Sequence, residues 1–384
     1  MVFLIVETPH RQPISKRRKE TVIRMQEFVF TQPGLIHENM AVYNGRKAPF
    51  RLYGLYKPEE PGIFRRTPQE VAENTSKRVN FLHTNTAGAR LRFATDSSYI
   101  SVGAILPPTE FTSPRNPAFV GGNAYCFDLY VDGEHCRILW PETLLRRENA
   151  VSFDFPEGKY EAGVTFSQKK VRQITLCFPT FINISDVFIG VEKDCILTAP
   201  TEYRNEKPVV FYGSSITQGA CASRSGNTYE NILSRKLHFD YLNLGFAGAC
   251  KAEPAIIDYI CTLETPLLVF DYDHNARSVE FLEQTHLPAL RKLRAAHPDI
   301  PFVVMSRPDQ DTGEADTIRR AQLIEENCRI LQQESNAPVH FVNGIDIFHS
   351  HDKDMMTIDG THPTDLGFYC MAQALYKVLE QYFP

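Results

Sequence analysis

The chain is 384 residues long, more than a single hydrophobic core usually holds, so its length predicts two domains. Hydrophobic residues make up 43% of it and charged residues 23%, as in ordinary globular proteins. The formal net charge of −5, and the lack of a Lys/Arg-rich stripe in the body of the chain, argue against a nucleic-acid-binding protein.

The apolar segments and the cysteines disfavour two further classes of protein. No segment is long enough to span a membrane, and residues 2–6 are too short for the core of a signal peptide. The nine cysteines are scattered, odd in number and form no C-x-x-C pair, which fits reduced thiols better than a disulfide framework. We therefore expect a cytoplasmic protein without membrane association.

The first half of the chain begins with an extension, residues 1–29, whose basic cluster fits a solvated terminus better than a binding patch. Residues 30–200 contain short β-branched or alternating segments separated by turn residues, among them an Asp132-Gly133 hairpin signal. This pattern predicts an all-β sandwich domain of the jelly-roll kind. The predicted strands include residues 89–94, 99–106, 124–131, 136–140, 151–155, 159–166, 171–178 and 187–191, and residues 107–122 are predicted to form a long loop.

The second half, residues 201–384, alternates strands and helices, the pattern of a doubly wound parallel sheet. A linker at residues 199–208 precedes it, and we expect Pro288 to kink or split the helix that contains it. The predicted strands are residues 209–212, 240–244, 267–271, 301–306 and 339–342, and the predicted helices are residues 228–237, 254–261, 279–296, 315–334 and 365–382.

Four loops of this second half carry reactive or small residues. Residues 213–215, 245–248 and 271–275 each follow a predicted strand, and residues 359–362 lie between the last strand and the last helix. Open α/β sheets bind ligands at the carboxyl edge of their strands. We therefore expect the first three loops to share that edge and the fourth to lie near the same rim.

The side chains of these loops include every part that acyl transfer from an ester needs. Ser215 can attack the ester carbonyl, and His362 can accept its proton because an unperturbed imidazole has a pKa near neutrality. Asp359 can accept from the other imidazole nitrogen and fix the tautomer. Gly248, Asn275 and the amide of Ser215 can donate hydrogen bonds to the oxyanion.

Each of these residues also has a purely structural interpretation. The serines at 214 and 215 could cap the helix that follows, and Asn275 could cap the helix predicted from residue 279. Gly248 could be a plain turn glycine, and His362 a surface residue before Pro363. Taken one at a time, the residues do not decide between the two interpretations.

A metal site is a weaker interpretation of the acidic loop. Asp271, Asp273, His274 and His362 have ligand-type side chains, but their spacing matches no ligand pattern. The sequence also contains no phosphate-binding loop, no G-x-G-x-x-G and no H-E-x-x-H, and it lacks the G-x-S-x-G elbow of the α/β-hydrolases. We therefore expect an enzyme that uses neither a metal nor a cofactor.

Taken together and in this order, the four loops resemble four sequence blocks of the SGNH (GDSL-type) hydrolase superfamily. The matching residues are G-S-S-I at 213–216, N-L-G-F-A-G at 243–248, Asn275, and D-G-T-H at 359–362. The resemblance implies a flavodoxin-like three-layer α/β domain with a parallel sheet. It also implies that Ser215 is the nucleophile, His362 the base, Asp359 the orienting acid, and Gly248 and Asn275 oxyanion donors.

A closer resemblance is to the SGNH-type esterases with an N-terminal β domain marked by a G-x-D-L-Y motif. Here C-F-D-L-Y stands at residues 126–130, and the segments at 219–224 and 362–367 are also similar to that subfamily. Two positions depart from the pattern. Ser214 replaces an aspartate, which removes a charge beside the nucleophile, and Cys126 replaces a glycine, which could alter the local backbone.

The resemblance implies a carboxylic ester hydrolase that removes short acyl groups, acetyl above all, through a Ser-His-Asp acyl-enzyme mechanism. Because a β-sandwich stands beside the hydrolase domain, we expect a carbohydrate ester or another small ester as substrate. Two alternatives stay open, namely an acyltransferase with the same triad and a carbohydrate-binding protein whose hydrolase domain is inactive. A homo-oligomer is compatible with the sequence.

Overall fold

The computed structural model describes residues 28–107, 120–141, 158–308, 315–349 and 352–384. Three predicted features lie wholly or largely outside these ranges: the N-terminal extension, the strand at residues 151–155, and most of the loop at residues 107–122.

The first half of the chain is built mainly of antiparallel strands. Within the described ranges these are β1 (Met40–Asn44), β2 (Arg51–Tyr53), β3 (Arg90–Thr95), β4 (Tyr99–Leu106), β5 (Phe127–Val131), β6 (Glu134–Leu139), β7 (Gly158–Thr165), β8 (Arg172–Cys177), β9 (Asp186–Glu192) and β10 (Leu197–Thr198). One sheet has the order β1-β9-β4-β7, and the other has the order β10-β3-β8-β5-β6 with β2 beside β3. Every pairing between these strands is antiparallel.

The two antiparallel sheets share one apolar core. In β8, Ile174 and Leu176 are buried while Gln173 and Thr175 are partly exposed, the alternation expected of a strand with one buried face. Side chains from β3, β4, β5, β7, β8 and β9 all belong to the same buried cluster. Burial of this shared core is therefore what holds the two sheets together.

In the described part of the β-rich half, the strands are interrupted by three short helices that the sequence did not predict: α1 (Gln69–Thr75), α2 (Lys77–Leu82) and α3 (Gly121–Ala124). Ser76 begins α2, because its Oγ accepts a hydrogen bond from the Val79 amide at 3.1 Å. Ala72, Val79 and Leu82 are buried against the parallel sheet of the second half rather than in the core of the first. Helices α1 and α2 thus belong to the first half of the chain but pack against the second.

The second half is a parallel sheet with helices on both faces. Its strands are β11 (Val209–Gly213), β12 (Tyr241–Gly245), β13 (Leu268–Asp271), β14 (Phe302–Met305) and β15 (Val339–Val342), in the order β12-β11-β13-β14-β15. Within this half that is 2-1-3-4-5, the order of flavodoxin-like doubly wound sheets. The described helices are α4 (Ser215–Gln218), α5 (Tyr229–Leu237), α6 (Pro254–Cys261), α7 (Val279–Ala296), α8 (Ala315–Glu334), α9 (Gly344–His349) and α10 (Asp365–Leu379).

Strands β11 to β14 are buried throughout, as their largely apolar runs predict, whereas β15 at the edge of the sheet is only partly buried. Val209 and Phe211 belong to a cluster with α5 and α10, whereas Val210 and Tyr212 belong to one with α6, α7 and α8. In the described part of the chain, no helix is long and apolar enough to cross a bilayer.

Of the two effects expected of Pro288, a kink or a split, the split was wrong, because helix α7 runs through the proline without a break. Ser278 caps its first turn by accepting from the Phe281 amide at 3.2 Å. On either side of the proline, Leu282 and Leu290 are fully buried. Packing on both sides of the proline therefore compensates for the single backbone donor that it removes.

Two buried histidines make the stability of the fold depend on pH. The ring of His286 stacks on Tyr272, and its Nδ1 lies 3.1 Å from the Asn327 amide nitrogen. Burial lowers the pKa of His286 and of His83 to about 4, from an ordinary value of 6.5. On acidification the unfolded chain takes up a proton at each histidine well before the folded protein does, so this contribution to stability is complete above pH 6.5 and lost below it.

We expect the free energy of unfolding to fall by on the order of 2 kcal/mol per histidine between pH 7 and pH 4.5. Urea unfolding of the wild type and of a His286→Gln variant is measured at both pH values. The comparison separates the contribution of His286 from that of His83 and of all other titrating groups. The difference between the two pH values should be smaller in the variant by about that amount. Equal differences in the two proteins would contradict the assignment.

Candidate active site

The carboxyl ends of β11, β12 and β13 bring three of the predicted loops together. Gly213 at the end of β11 pairs with Gly245 of β12 and with Asp271 of β13. A Cβ on Gly213 would lie 2.0 Å from Thr217 Oγ1 and 2.3 Å from the Asp271 carbonyl oxygen, so the close approach of the loops requires glycine here. The amide of Phe246 donates to the Gly213 carbonyl at 3.0 Å, which places the second loop directly beside the first.

Ser214 and Ser215 have different surroundings. Ser214 is fully buried and caps α4, because its Oγ accepts from the Ile216 amide at 3.1 Å. Ser215, the first residue of α4, is partly exposed, and its Oγ lies 2.9 Å from His362 Nε2. The capping role thus belongs to Ser214, and the hydroxyl of Ser215 faces an imidazole.

The fourth loop brings Asp359 to the other side of that imidazole. His362 Nδ1 lies 2.8 Å from Asp359 Oδ2, and Asp359 Oδ1 accepts from the backbone amides of His362 at 2.8 Å and Thr361 at 3.1 Å. Burial would raise the pKa of Asp359, but these hydrogen bonds outweigh it and the pKa lies below its ordinary value. A charged Asp359 accepts from the Nδ1 proton and leaves Nε2 as the acceptor that faces Ser215.

The residues predicted as oxyanion donors lie around the turn that follows β12. Gly248 is exposed and has a left-handed backbone, with φ +68°, which favours glycine. Asn275 Nδ2 donates to the Phe246 carbonyl at 3.2 Å, so its side chain lies against the same turn. The cap of α7 is Ser278 rather than Asn275, which removes the structural interpretation of that asparagine. We call residues 246–248 the oxyanion turn.

Gln218, which no sequence pattern pointed to, joins this turn to the helix of Ser215. Its Oε1 accepts from the Ala247 amide at 2.9 Å. Its Nε2 donates to Asn85 Oδ1 and to the Thr180 carbonyl, both at 3.3 Å and both in the first half of the chain. Gln218 is fully buried, so this bridge fixes α4, the oxyanion turn and the β-rich half relative to one another.

Arg66 supports the same region from the first half of the chain. It is fully buried, and its Nη1 donates to the carbonyls of Asn243 at 3.0 Å and Gly245 at 2.6 Å, while its guanidinium lies 4.4 Å above the ring of Phe246. Burial lowers the pKa of Arg66 to about 9. Its hydrogen-bond partners are carbonyls and amides, so no carboxylate offsets the effect of burial. Arg66 lies 177 residues from Asn243 in the chain and carries no sequence signal for such a role.

The C-F-D-L-Y segment anchors residues 223–226, which follow the helix of Ser215. Asp128, fully buried, accepts from Arg224 Nη1 at 2.9 Å and from the Gly226 amide at 3.0 Å. Beside Arg224, the Ser223 amide donates to the side chain of Asp365, three residues after His362, at 2.8 Å. The cysteine that replaces glycine in this motif, Cys126, is buried without a left-handed φ, so its backbone is not strained.

The acidic residues of the third loop are engaged in other contacts. Asp271 Oδ2 accepts from Thr217 and Tyr229, each at 3.3 Å, and burial raises its pKa well above the ordinary value. Asp273 forms a buried ion pair with Arg320 at 3.0 Å. Within the described residues, no group of three or more His, Cys, Asp or Glu side chains is placed to hold a metal ion.

Two family models match the chain. One, described as the GDSL-like lipase/acylhydrolase family, matches residues 206–380. The other, described as the N-terminus of SGNH-hydrolase-type esterases and named GxDLY, matches residues 40–197. The comparison with curated proteins gives no match.

Solved structures share the fold over most of the chain. A protein from Bacteroides ovatus described as a GDSL-like lipase has a TM-score of 0.74 and 23% identity, covering 89% of this chain and 98% of its own. The salicylyl-acyltransferase SsfX3 from a tetracycline biosynthetic pathway has a TM-score of 0.71 and 19% identity, covering 90% and 98%. An acetyl xylan esterase from Butyrivibrio proteoclasticus has a TM-score of 0.55 and 11% identity, covering 89% and 98%. At these identities the likeness shows the fold.

Proposed function

Because the chain belongs to the GDSL-like lipase/acylhydrolase family, with the N-terminal region of the SGNH-type esterases, we propose that it is a serine esterase acting on short acyl esters. The observation that carries the proposal is the continuous chain of contacts from Ser215 Oγ to His362 Nε2 at 2.9 Å and from His362 Nδ1 to Asp359 Oδ2 at 2.8 Å. A nucleophile, a base and an orienting acid in this geometry are what acyl transfer through a covalent intermediate needs.

In the first half-reaction, Ser215 Oγ attacks the ester carbonyl carbon while His362 Nε2 accepts the serine proton. The negative charge that develops on the carbonyl oxygen is stabilised by the amides of Ser215 and Gly248 and by the side chain of Asn275. Although Asn275 already donates to the Phe246 carbonyl, its amide nitrogen carries a second hydrogen that can reach the oxyanion.

The tetrahedral intermediate then collapses, and the bond between the acyl carbon and the alcohol oxygen breaks. The departing alcohol takes the proton from His362, which leaves the acyl group on Ser215. In the second half-reaction, His362 removes a proton from water, the hydroxide attacks the acyl carbon, and Ser215 recovers its proton as the acid leaves. Throughout both steps Asp359 holds the Nδ1 proton and stabilises the imidazolium.

The substrate that we propose is an acetylated or otherwise short-acylated carbohydrate. Support comes from the β-rich half beside the hydrolase half and from the shared fold with an acetyl xylan esterase. A panel of esters that includes acetylated sugars, followed by acetate release, tests this proposal. Release of acetate from the sugars at a higher kcat/KM than from longer acyl esters would support it, and turnover restricted to long-chain esters would contradict it.

An acyltransferase is the second candidate, and the shared fold with a salicylyl-acyltransferase favours it. The nucleophile, base and oxyanion donors would be the same, but an alcohol would replace water in the second half-reaction. Adding an alcohol acceptor to the ester panel separates the two reactions. An esterase releases free acid at an unchanged rate, whereas an acyltransferase diverts the acyl group to the acceptor.

We also propose that residues 30–200 and 201–384 are separate domains and that the first is a jelly-roll-like sandwich. Support comes from the shared core of its two antiparallel sheets and from the short interval, residues 198–205, between the two family matches. The many contacts between the halves around Gln218 and Arg66 indicate that the β-rich domain forms part of the wall of the active site.

A further inference from the structure

An arginine with no role in the proposed reaction lies beside the oxyanion turn. Arg78 belongs to α2, and its Nε donates to the Ala247 carbonyl at 2.6 Å. The same nitrogen lies 3.6 Å from the position that a Cβ would occupy on Gly248. Both Arg78 and Gly248 are exposed. The guanidinium therefore lies in an exposed position, at the carbonyl side of the peptide whose N–H is proposed to bind the oxyanion.

Most of the hydrogen-bonding capacity of Arg78 is unused. A guanidinium has five N–H donors in a planar fork, and within the described residues only the one on Nε of Arg78 has a partner. Arg66 and Arg320, by contrast, are buried, and each donates to carbonyls or carboxylates of the protein from at least two of its nitrogens. Among the described residues, no carboxylate lies within ion-pairing distance of Arg78. Its four terminal N–H groups are free to bind a ligand.

We propose that Arg78 forms an anion-binding subsite that selects esters carrying a carboxylate close to the reacting carbonyl. A planar guanidinium binds a carboxylate through two parallel hydrogen bonds, which gives both affinity and orientation. The bond from Nε to the Ala247 carbonyl fixes the plane of the fork in advance, which reduces the entropy lost when a carboxylate binds. The subsite rests on the proposed esterase function, because it is defined by its place beside the oxyanion turn.

The carboxylate can belong to the acyl group or to the alcohol, and matched pairs of substrates distinguish the two. For the acyl side, the pair is 4-nitrophenyl hemisuccinate and its methyl ester. For the alcohol side, the pair is 4-acetoxybenzoate and its methyl ester. The members of each pair share the same reacting ester and differ in that a methyl group replaces the negative charge of the carboxylate.

We expect Arg78→Gln to lower kcat/KM for the charged member of one pair by roughly tenfold or more relative to its methyl ester. The control is Lys77→Gln, which removes the same charge from the exposed neighbouring position on α2. It should leave the ratio of charged to neutral ester unchanged. Equal loss on both members of each pair, or the same ratio change in the Lys77 variant, would overturn the proposal.

A binding measurement keeps this test independent of turnover. In a Ser215→Ala background, ligand-observed NMR titrations with monomethyl succinate and with 4-acetoxybenzoate should show Kd for one of these anions rising roughly tenfold when Arg78→Gln is added, with no such rise for their methyl esters. If Kd depends on Arg78 but the wild type hydrolyses none of the esters, the esterase function is overturned and the subsite is retained. Kd values independent of Arg78 for both anions would overturn the subsite alone.

Discussion

Replacing Ser215 by alanine is expected to lower kcat for a short 4-nitrophenyl ester by about five to six orders of magnitude, the loss typical of a missing serine nucleophile. The variant lacks the Oγ that lies 2.9 Å from His362 Nε2 and would attack the ester, so no acyl-enzyme can form. Steady-state kinetics with the purified variant measures the effect. Because the side chain is small and partly exposed, the variant should unfold at the same temperature as the wild type.

Ser214→Ala is the matched control, since it removes the same atoms one residue earlier. Ser214 is buried and caps α4, so its loss should cost about 1 kcal/mol of stability and leave ester turnover within about tenfold of the wild type. The opposite result, an inactive Ser214 variant and an active Ser215 variant, would move the nucleophile by one residue.

Replacing Asp359 by asparagine is expected to lower kcat by about four orders of magnitude. An asparagine amide can donate to Nδ1 of His362, which moves the imidazole proton to Nε2 and prevents that nitrogen from accepting the Ser215 proton. The backbone amides that hold Asp359 can still bind the asparagine oxygen, so the loop should keep its shape. Steady-state kinetics measures the loss of activity. An unchanged unfolding temperature shows that the loss comes from the missing proton acceptor and not from unfolding.

The control for this variant is Asp352→Asn, which alters an exposed carboxylate seven residues earlier in the sequence and should leave kcat unchanged.

The pH profile adds a second check. Because hydrogen bonds lower the pKa of Asp359, its carboxylate stays charged in mild acid, so the wild type should show no loss of activity attributable to this group above pH 5. A rate for Asp359→Asn within about tenfold of the wild type would contradict the assigned role.

The sequence predicted the parallel sheet better than the elements around it. Strands β11 to β15 are short apolar runs bounded by Gly, Pro or charged residues, a signal that depends on local composition alone. Helices α1 and α2 are six or seven residues long, too short for a helical period to stand out, and tertiary packing against the second half stabilises them. Pro288 failed as a breaker for the same reason, because packing on both sides of the proline outweighs a local preference.

For the candidate site, the sequence predicted the groups that would react but not the residues that hold them in place. Ser215, His362 and Asp359 stand in short motifs whose chemistry can be recognised from a few letters. The supports come from residues far away in the chain, such as Arg66, whose bond to the Gly245 carbonyl spans 179 residues. Such contacts depend on how the two halves pack, and a pattern of neighbouring residues cannot reveal them.

Labelling with a fluorophosphonate probe, followed by peptide mass spectrometry, tests the central claim that Ser215 is an activated nucleophile. We predict a single adduct on Ser215 that is lost in Ser215→Ala, retained in Ser214→Ala, and formed much more slowly in Asp359→Asn. The absence of any adduct in the wild type, or an adduct on another residue, would contradict the claim.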